Sequence, residues 1–194
     1  MGRPRTFSET EALDAICASF WDQGYCATSL DDLTEATGLG KGSLYAAFGS
    51  KHDMFVQGLR LYCERMVAMA TSFLHAPSGS ALQRLEKYVQ HLTREMQSPR
   101  GCLLSKAAAE LGRQDDEVNA IISKTFEELG DQLVAAVRQA QREGDVPARL
   151  DARRSGLMLL AVIRGMEAMA RGGTNGRSLG MIAQGALAPL RADT

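Results

Sequence analysis

Proline is scarce in this 194-residue chain, five in all. No stretch alternates apolar and polar residues between turn signals, so strands have little support in the pattern. The four cysteines (Cys17, Cys26, Cys63 and Cys102) form no C-x-x-C pair and lie far apart. That argues against a disulfide scaffold or a structural zinc site and fits a reducing compartment. No apolar run reaches the roughly 20 residues that a helix needs to cross lipid. The most apolar stretch, 156–170, is interrupted by Arg164 and Glu167, so no membrane span is expected. The N-terminus has no apolar h-region, and no signal peptide is expected. An excess of charge is also missing. The net charge is −1, which by itself predicts no polyanion partner. Within 1–51, Arg3, Arg5, Lys41 and Lys51 are outnumbered by acidic residues. Affinity for nucleic acid must therefore come from where the charges sit. Catalytic signatures are absent too: no H-E-x-x-H, no G-x-S-x-G, and His52, His75 and His91 are scattered. No enzyme activity, metal site or cofactor is expected.

What the chain has is helix. Apolar content is 45% and charged content 23%, ordinary for a globular protein. Between clusters of Gly, Ser and Asn the apolar residues recur at helical spacing, which predicts an all-α fold of nine helices. Ser8 followed by Glu11 opens the first helix with a capping-box pattern, and Gly24 stops it. Ser29 caps a short second helix that Gly38 ends. A third covers about 41–48. Ser50 caps a long fourth helix running to about His75. Further helices are predicted at about 80–97, 102–112, 115–143, 151–171 and 177–191.

The informative segment is 28–51, T-S-L-D-D-L-T-E-A-T-G-L-G-K-G-S-L-Y-A-A-F-G-S-K. It reads as helix, glycine turn, helix, the helix-turn-helix shape. Leu39, Leu44 and Phe48 point inward against Leu33 and the first helix. Lys41, Gly42, Ser43, Tyr45 and Ala46 are left on the outer face, where a helix N-terminus can enter a major groove and meet phosphates. The string Gly40-Lys41-Gly42-Ser43 is not a nucleotide-binding loop. That pattern needs Gly where Glu35 stands and Ser or Thr where Gly42 stands. One such head reads one half-site, so two heads about 34–36 Å apart, and hence a homodimer, are expected. The interface candidates are Leu157, Leu160, Ala161, Met181, Ile182, Ala186 and Leu190 on the last two helices. The plainer alternative is that these residues close the internal core.

The match G-x-G-K-G-S-L-Y-x-x-F-x-S-K, from Gly38 to Lys51, resembles the TetR family of bacterial transcriptional regulators. The resemblance covers about 8–60 in sequence and the rest in architecture. It implies a DNA-binding domain over 1–50 and an effector-binding and dimerisation domain over 51–194, joined by the fourth helix. It implies that Thr28, Ser29, Tyr45 and Lys51 meet phosphates of an operator duplex and that Lys41, Gly42 and Ser43 lie in the groove. Arg3 and Arg5 would reach along the DNA as an arm. Ala46-Ala47 departs from the aromatic or histidine pair of many members and leaves only apolar contact, for example to a thymine methyl.

The resemblance further implies a small-molecule effector held among helices 4 to 8. The bulky residues available are Met66, Met69, Phe73, Tyr88, Met96, Cys102, Phe126, Met158 and Met166; plain core is the alternative for most of them. Arg164 and Glu167 could pair with each other, face a dimer partner or hold an anion. Cys102 opens the sixth helix, where the dipole favours an anion. It is either a sensor thiol, as in one branch of the family, or a small buried apolar residue. The function expected is a ligand-responsive DNA-binding regulator in the bacterial cytoplasm, a repressor released from a palindromic operator. The alternatives are a cysteine-based electrophile or oxidant sensor on the same fold, and a helical protein-binding adaptor.

Overall fold

The computed structural model describes residues 8–191. Arg3 and Arg5 lie outside the described residues. Those residues form nine α-helices and no strand: α1 (Glu9–Gln23), α2 (Leu30–Thr37), α3 (Lys41–Phe48), α4 (Lys51–Leu74), α5 (Ala81–Glu95), α6 (Leu103–Glu110), α7 (Asp116–Glu143), α8 (Ala152–Arg171) and α9 (Gly176–Leu187). No helix among them is long and apolar enough to cross a membrane.

The helix starts follow local chemistry. Ser29, Ser50 and Ser80 each accept from the amide three residues on, and Asp32, Asp53 and Gln83 bond back to the serine amides. These reciprocal caps satisfy N–H groups that a helix start otherwise leaves unpaired. Asp115, Asp151 and Asn175 cap α7, α8 and α9 with their side chains. The last helix ends sooner than its apolar pattern predicts. Pro189 cannot donate to an α-helical ladder, and Ala188–Leu190 tighten into a 3-10 turn. That turn folds Leu190 into the core, 3% exposed.

Helices α1 to α3 form a head. Ile16, Phe20, Leu33 and Leu44 are fully buried in it, and Phe20 meets Phe55 of α4 edge-on at 5.1 Å. Burial of side chains of this size stabilises by roughly 1.5–3 kcal/mol each. Helix α4 continues into the body, where α5, α7, α8 and α9 pack together. Helices α7 and α8 approach closely because Gly156 has no side chain. A Cβ there would lie 2.7 Å from the Val134 amide nitrogen.

Candidate nucleic-acid interface and interior cavity

The turn between α2 and α3 is set by Gly38, at φ 69°, a left-handed conformation that glycine adopts without strain. Its amide donates to Thr34 O at 2.9 Å. Leu44 and Phe48 anchor α3 from below, buried at 0% and 6% exposure. This turns Lys41, Gly42, Ser43, Tyr45, Ala46 and Ala47 to solvent. Tyr45 is 48% exposed. Helix α3 starts at Gly40 with no side-chain cap, so its positive end is open to an acceptor.

Two lysines flank this face in different states. Lys41 Nζ lies 2.7 Å from Asp31 Oδ1 of α2, and that carboxylate raises the lysine's pKa. Lys51, at the start of α4, sits 4.5 Å above the Tyr25 ring. A cation–π contact leaves a formal charge uncancelled, whereas an ion pair does not.

Two residues expected at phosphates have their hydroxyls engaged elsewhere. Thr28 is 1% exposed, and its Oγ1 donates to Gly24 O at 2.6 Å. Its side chain stops α1 from inside, because the Gly24 turn leaves a carbonyl that a hydroxyl four residues on can reach. It does not face outward. Ser29 is exposed, but its hydroxyl donates to Asp32 Oδ2 at 2.7 Å within the α2 cap.

Between the head and the body lies a partly open cavity of about 1140 Å³, larger than the ~300–1,000 Å³ usual for small-molecule sites. Of the nine residues expected around a ligand, Met66, Met69, Met96 and Cys102 line it. The others do not. Phe73 stands behind the wall, stacked on His91 at 4.7 Å. Tyr88 and Met166 are core at 2% and 1% exposure, and Phe126 packs partly buried against the core. Met158 is 63% exposed on the outer side of α8. The inner side of that helix is the stripe Gly156, Leu159, Ile163 and Met166, and Met158 falls off it. Trp21 and Tyr62 line the cavity and were not expected there. Both sit on stripes that also read as core, so periodicity gave no signal to separate them.

Arg164 and Glu167 pair with each other at 3.1 Å, both largely buried. Ser105 Oγ donates to Glu167 Oε2 at 2.9 Å. Burial pushes the Glu167 carboxyl up despite the arginine, and burial also pushes the Tyr62 phenol well up. Arg164 Nη1 approaches Met66 Sδ and Cys102 Sγ at 3.8 and 3.9 Å. Cys102 is 6% exposed and opens α6.

One wall of the cavity is also the seam between head and body. Trp21 Nε1 of α1 donates to Gly101 O at 2.7 Å. Arg100 lies over the Trp21 ring at 4.7 Å and grips Asp22 through two bonds. Those bonds lower the Asp22 pKa. From α6, Lys106 Nζ donates to the Trp21 and Asp22 carbonyls at the end of α1, where a cation complements the helix dipole. Burial lowers the lysine's pKa.

Two family models match the chain. Residues 12–57 match the bacterial regulatory proteins of the tetR family, and residues 81–183 match the tetracyclin repressor-like C-terminal domain. The HTH-type transcriptional repressor ComR of Escherichia coli (strain K12) is 30% identical over 185 residues, covering 94% of this chain and 88% of that one.

The chain belongs to the TetR family.

Among solved structures, this TetR-family regulator is similar to a cysteine mutant of the TetR family transcriptional regulator CifR complexed with a 26-bp double-strand operator DNA. The identity is 28%, the coverage 97% of this chain and 100% of that one, and the TM-score 0.84. The reduced form of E. coli NemR has the same fold at 20% identity, with a TM-score of 0.79 over 92% of this chain and 94% of that one. The chain is a DNA-binding transcriptional regulator of helix-turn-helix type.

Proposed function

We propose that this regulator is a cytoplasmic homodimeric repressor, held on a palindromic operator by α3 of each subunit and released when a small molecule fills the cavity. Lys41, Gly42, Ser43, Tyr45 and Ala46 face the major groove, and Lys51 meets a flanking phosphate. Support for the dimer comes from the outer faces of α8 and α9. Leu157, Met158, Met169 and Met181 are 44–66% exposed there, and Ala161 lies beside them. Leu190 takes no part, being buried within its own subunit.

The observation that carries the reading is the shared wall. Trp21, Arg100, Gly101 and Cys102 line the cavity, and the first three also fasten α1 to the body. An occupant that displaces this wall changes how the head is held. It shifts the population only as far as it prefers one head position to the other. Met66, Met69, Met96, Trp21 and Tyr62 supply adaptable and aromatic contact area.

The test is an anisotropy titration of the full chain against a labelled duplex spanning the promoter of the adjacent gene, with sedimentation of the free protein. A dimer whose binding weakens steeply with salt is expected. A lone subunit, or indifference to every duplex at low ionic strength, overturns the reading.

A further inference from the structure

We infer that Asp31 is a specificity-determining residue, and that the Lys41–Asp31 pair reads one G·C base pair in each half-site. The inference rests on the operator-binding reading and deepens it. Asp31 belongs to α2, and its exposed carboxylate (78% exposed) lies 2.7 Å from Lys41 Nζ (55% exposed) at the first position of α3. Neither tip is used inside the fold beyond this bond. The neighbouring Gly42 has open space around it.

A lysine on the DNA face ordinarily serves a phosphate. Here the carboxylate cancels its charge, and any phosphate brought to Lys41 would also meet Asp31. The pair instead presents a donor beside an acceptor, both still open outward. Lys41 keeps two N–H groups, and Asp31 keeps a second oxygen.

A base pair presents the mirror of this pattern. Across the major groove of G·C, guanine O6 accepts and cytosine N4 donates, about 2.9 Å apart because they are bonded to each other. That spacing matches the Lys41–Asp31 separation. T·A offers a similar couple, thymine O4 beside adenine N6. The next atom outward decides between them. Guanine places N7, a second acceptor, on the lysine's side. Adenine places its N7 acceptor on the carboxylate's side, where two acceptors repel. The pair therefore favours G·C, with guanine under Lys41.

Replacing the carboxylate by an amide inverts the preference. An asparagine side chain accepts from adenine N6 through its oxygen and donates to adenine N7 through its amide nitrogen, so the N7 that repels a carboxylate attracts the amide. With Lys41 on thymine O4, Asp31→Asn then favours T·A in the same orientation.

The experiment is selection by the full chain from a randomised duplex pool, run with wild type, Asp31→Asn and Asp31→Ala. Wild type is expected to enrich a palindrome with one G·C pair that Asp31→Asn changes to T·A. Direct titration of the two duplexes should show wild type preferring G·C by about 5- to 150-fold per half-site, the range of one good base contact. Asp31→Ala should reduce that preference to what Lys41 alone gives on guanine O6 and N7, while binding non-matching duplexes more tightly, since a negative charge has left the phosphate surface. If all three proteins enrich the same palindrome, Asp31 is only a first-turn acid of α2 and the inference fails while operator binding stands. If wild type enriches nothing, operator binding itself fails and takes the inference with it.

Discussion

Lys51→Ala separates the two lysines of the DNA face by a number. Lys41 is neutralised by Asp31 at 2.7 Å, and Lys51 keeps its charge above the Tyr25 ring at 4.5 Å. Each phosphate neutralised by a free cation contributes about 0.9 to the slope of log affinity against log salt. A dimer carries the residue twice, so Lys51→Ala should flatten the slope by about 1.8. Between ~50 and ~200 mM salt, a fourfold change, wild type should then lose about 12-fold more affinity than the variant. Loss of the cation–π contact should cost about 0.5–1 kcal/mol, a fall in melting temperature of roughly 1–4 °C for a chain of this length. The assay is anisotropy against the selected duplex at several salt concentrations, with a thermal melt of each protein. Parallel lines for wild type and variant would refute the assignment of Lys51 to a phosphate. A steep loss of melting temperature would refute the account of its contact with Tyr25.

Other outcomes follow from the packing. Met181→Glu places a charge on a side chain that is 66% exposed; the variant should sediment as a folded monomer, and an intact dimer would remove α9 from the interface. Gly156→Ala drives a Cβ toward the Val134 backbone at 2.7 Å and should destabilise by roughly 1–3 kcal/mol in a denaturant titration; an unchanged midpoint would show that α7 and α8 can move apart freely. The Arg100 bonds hold Asp22 below the usual carboxylate range. Their contribution is present above the unfolded carboxylate value and is lost as pH falls through the depressed folded one. Asp22→Asn should therefore melt below wild type at neutral pH, and the gap should close in acid; a constant gap would mean that the bonds, not the charge, matter.

Much of this was legible in the sequence because it is local chemistry. Ser29 with Asp32 and Ser50 with Asp53 announce helix starts within four residues, and Gly38 announces the turn. The inward run of Leu33, Leu44 and Phe48 follows from helical spacing and leaves the outer face of α3 defined by subtraction. The failures lie where two elements meet. Thr28 looks like an exposed phosphate contact until the carbonyl of Gly24 is brought beneath it. Met158 looks like its neighbours on an apolar helix, and only the packing of α8 on α7 decides which side faces out. Trp21 reads as core because its stripe does, yet the wall it belongs to needs the loop around Arg100, 79 residues away. The bond between Asp31 and Lys41 crosses a turn whose angle no periodicity encodes.

The seat of Lys106 gives the joint between head and body a built-in reporter. Its amine is enclosed, 8% exposed, for as long as the Trp21 and Asp22 carbonyls hold it. An amine-acylating reagent should therefore mark the exposed Lys87 readily and spare Lys106 until the end of α1 lets go. The ratio of the two labels, read by mass spectrometry on otherwise unaltered protein, would follow the opening of that joint directly, whichever compound provokes it.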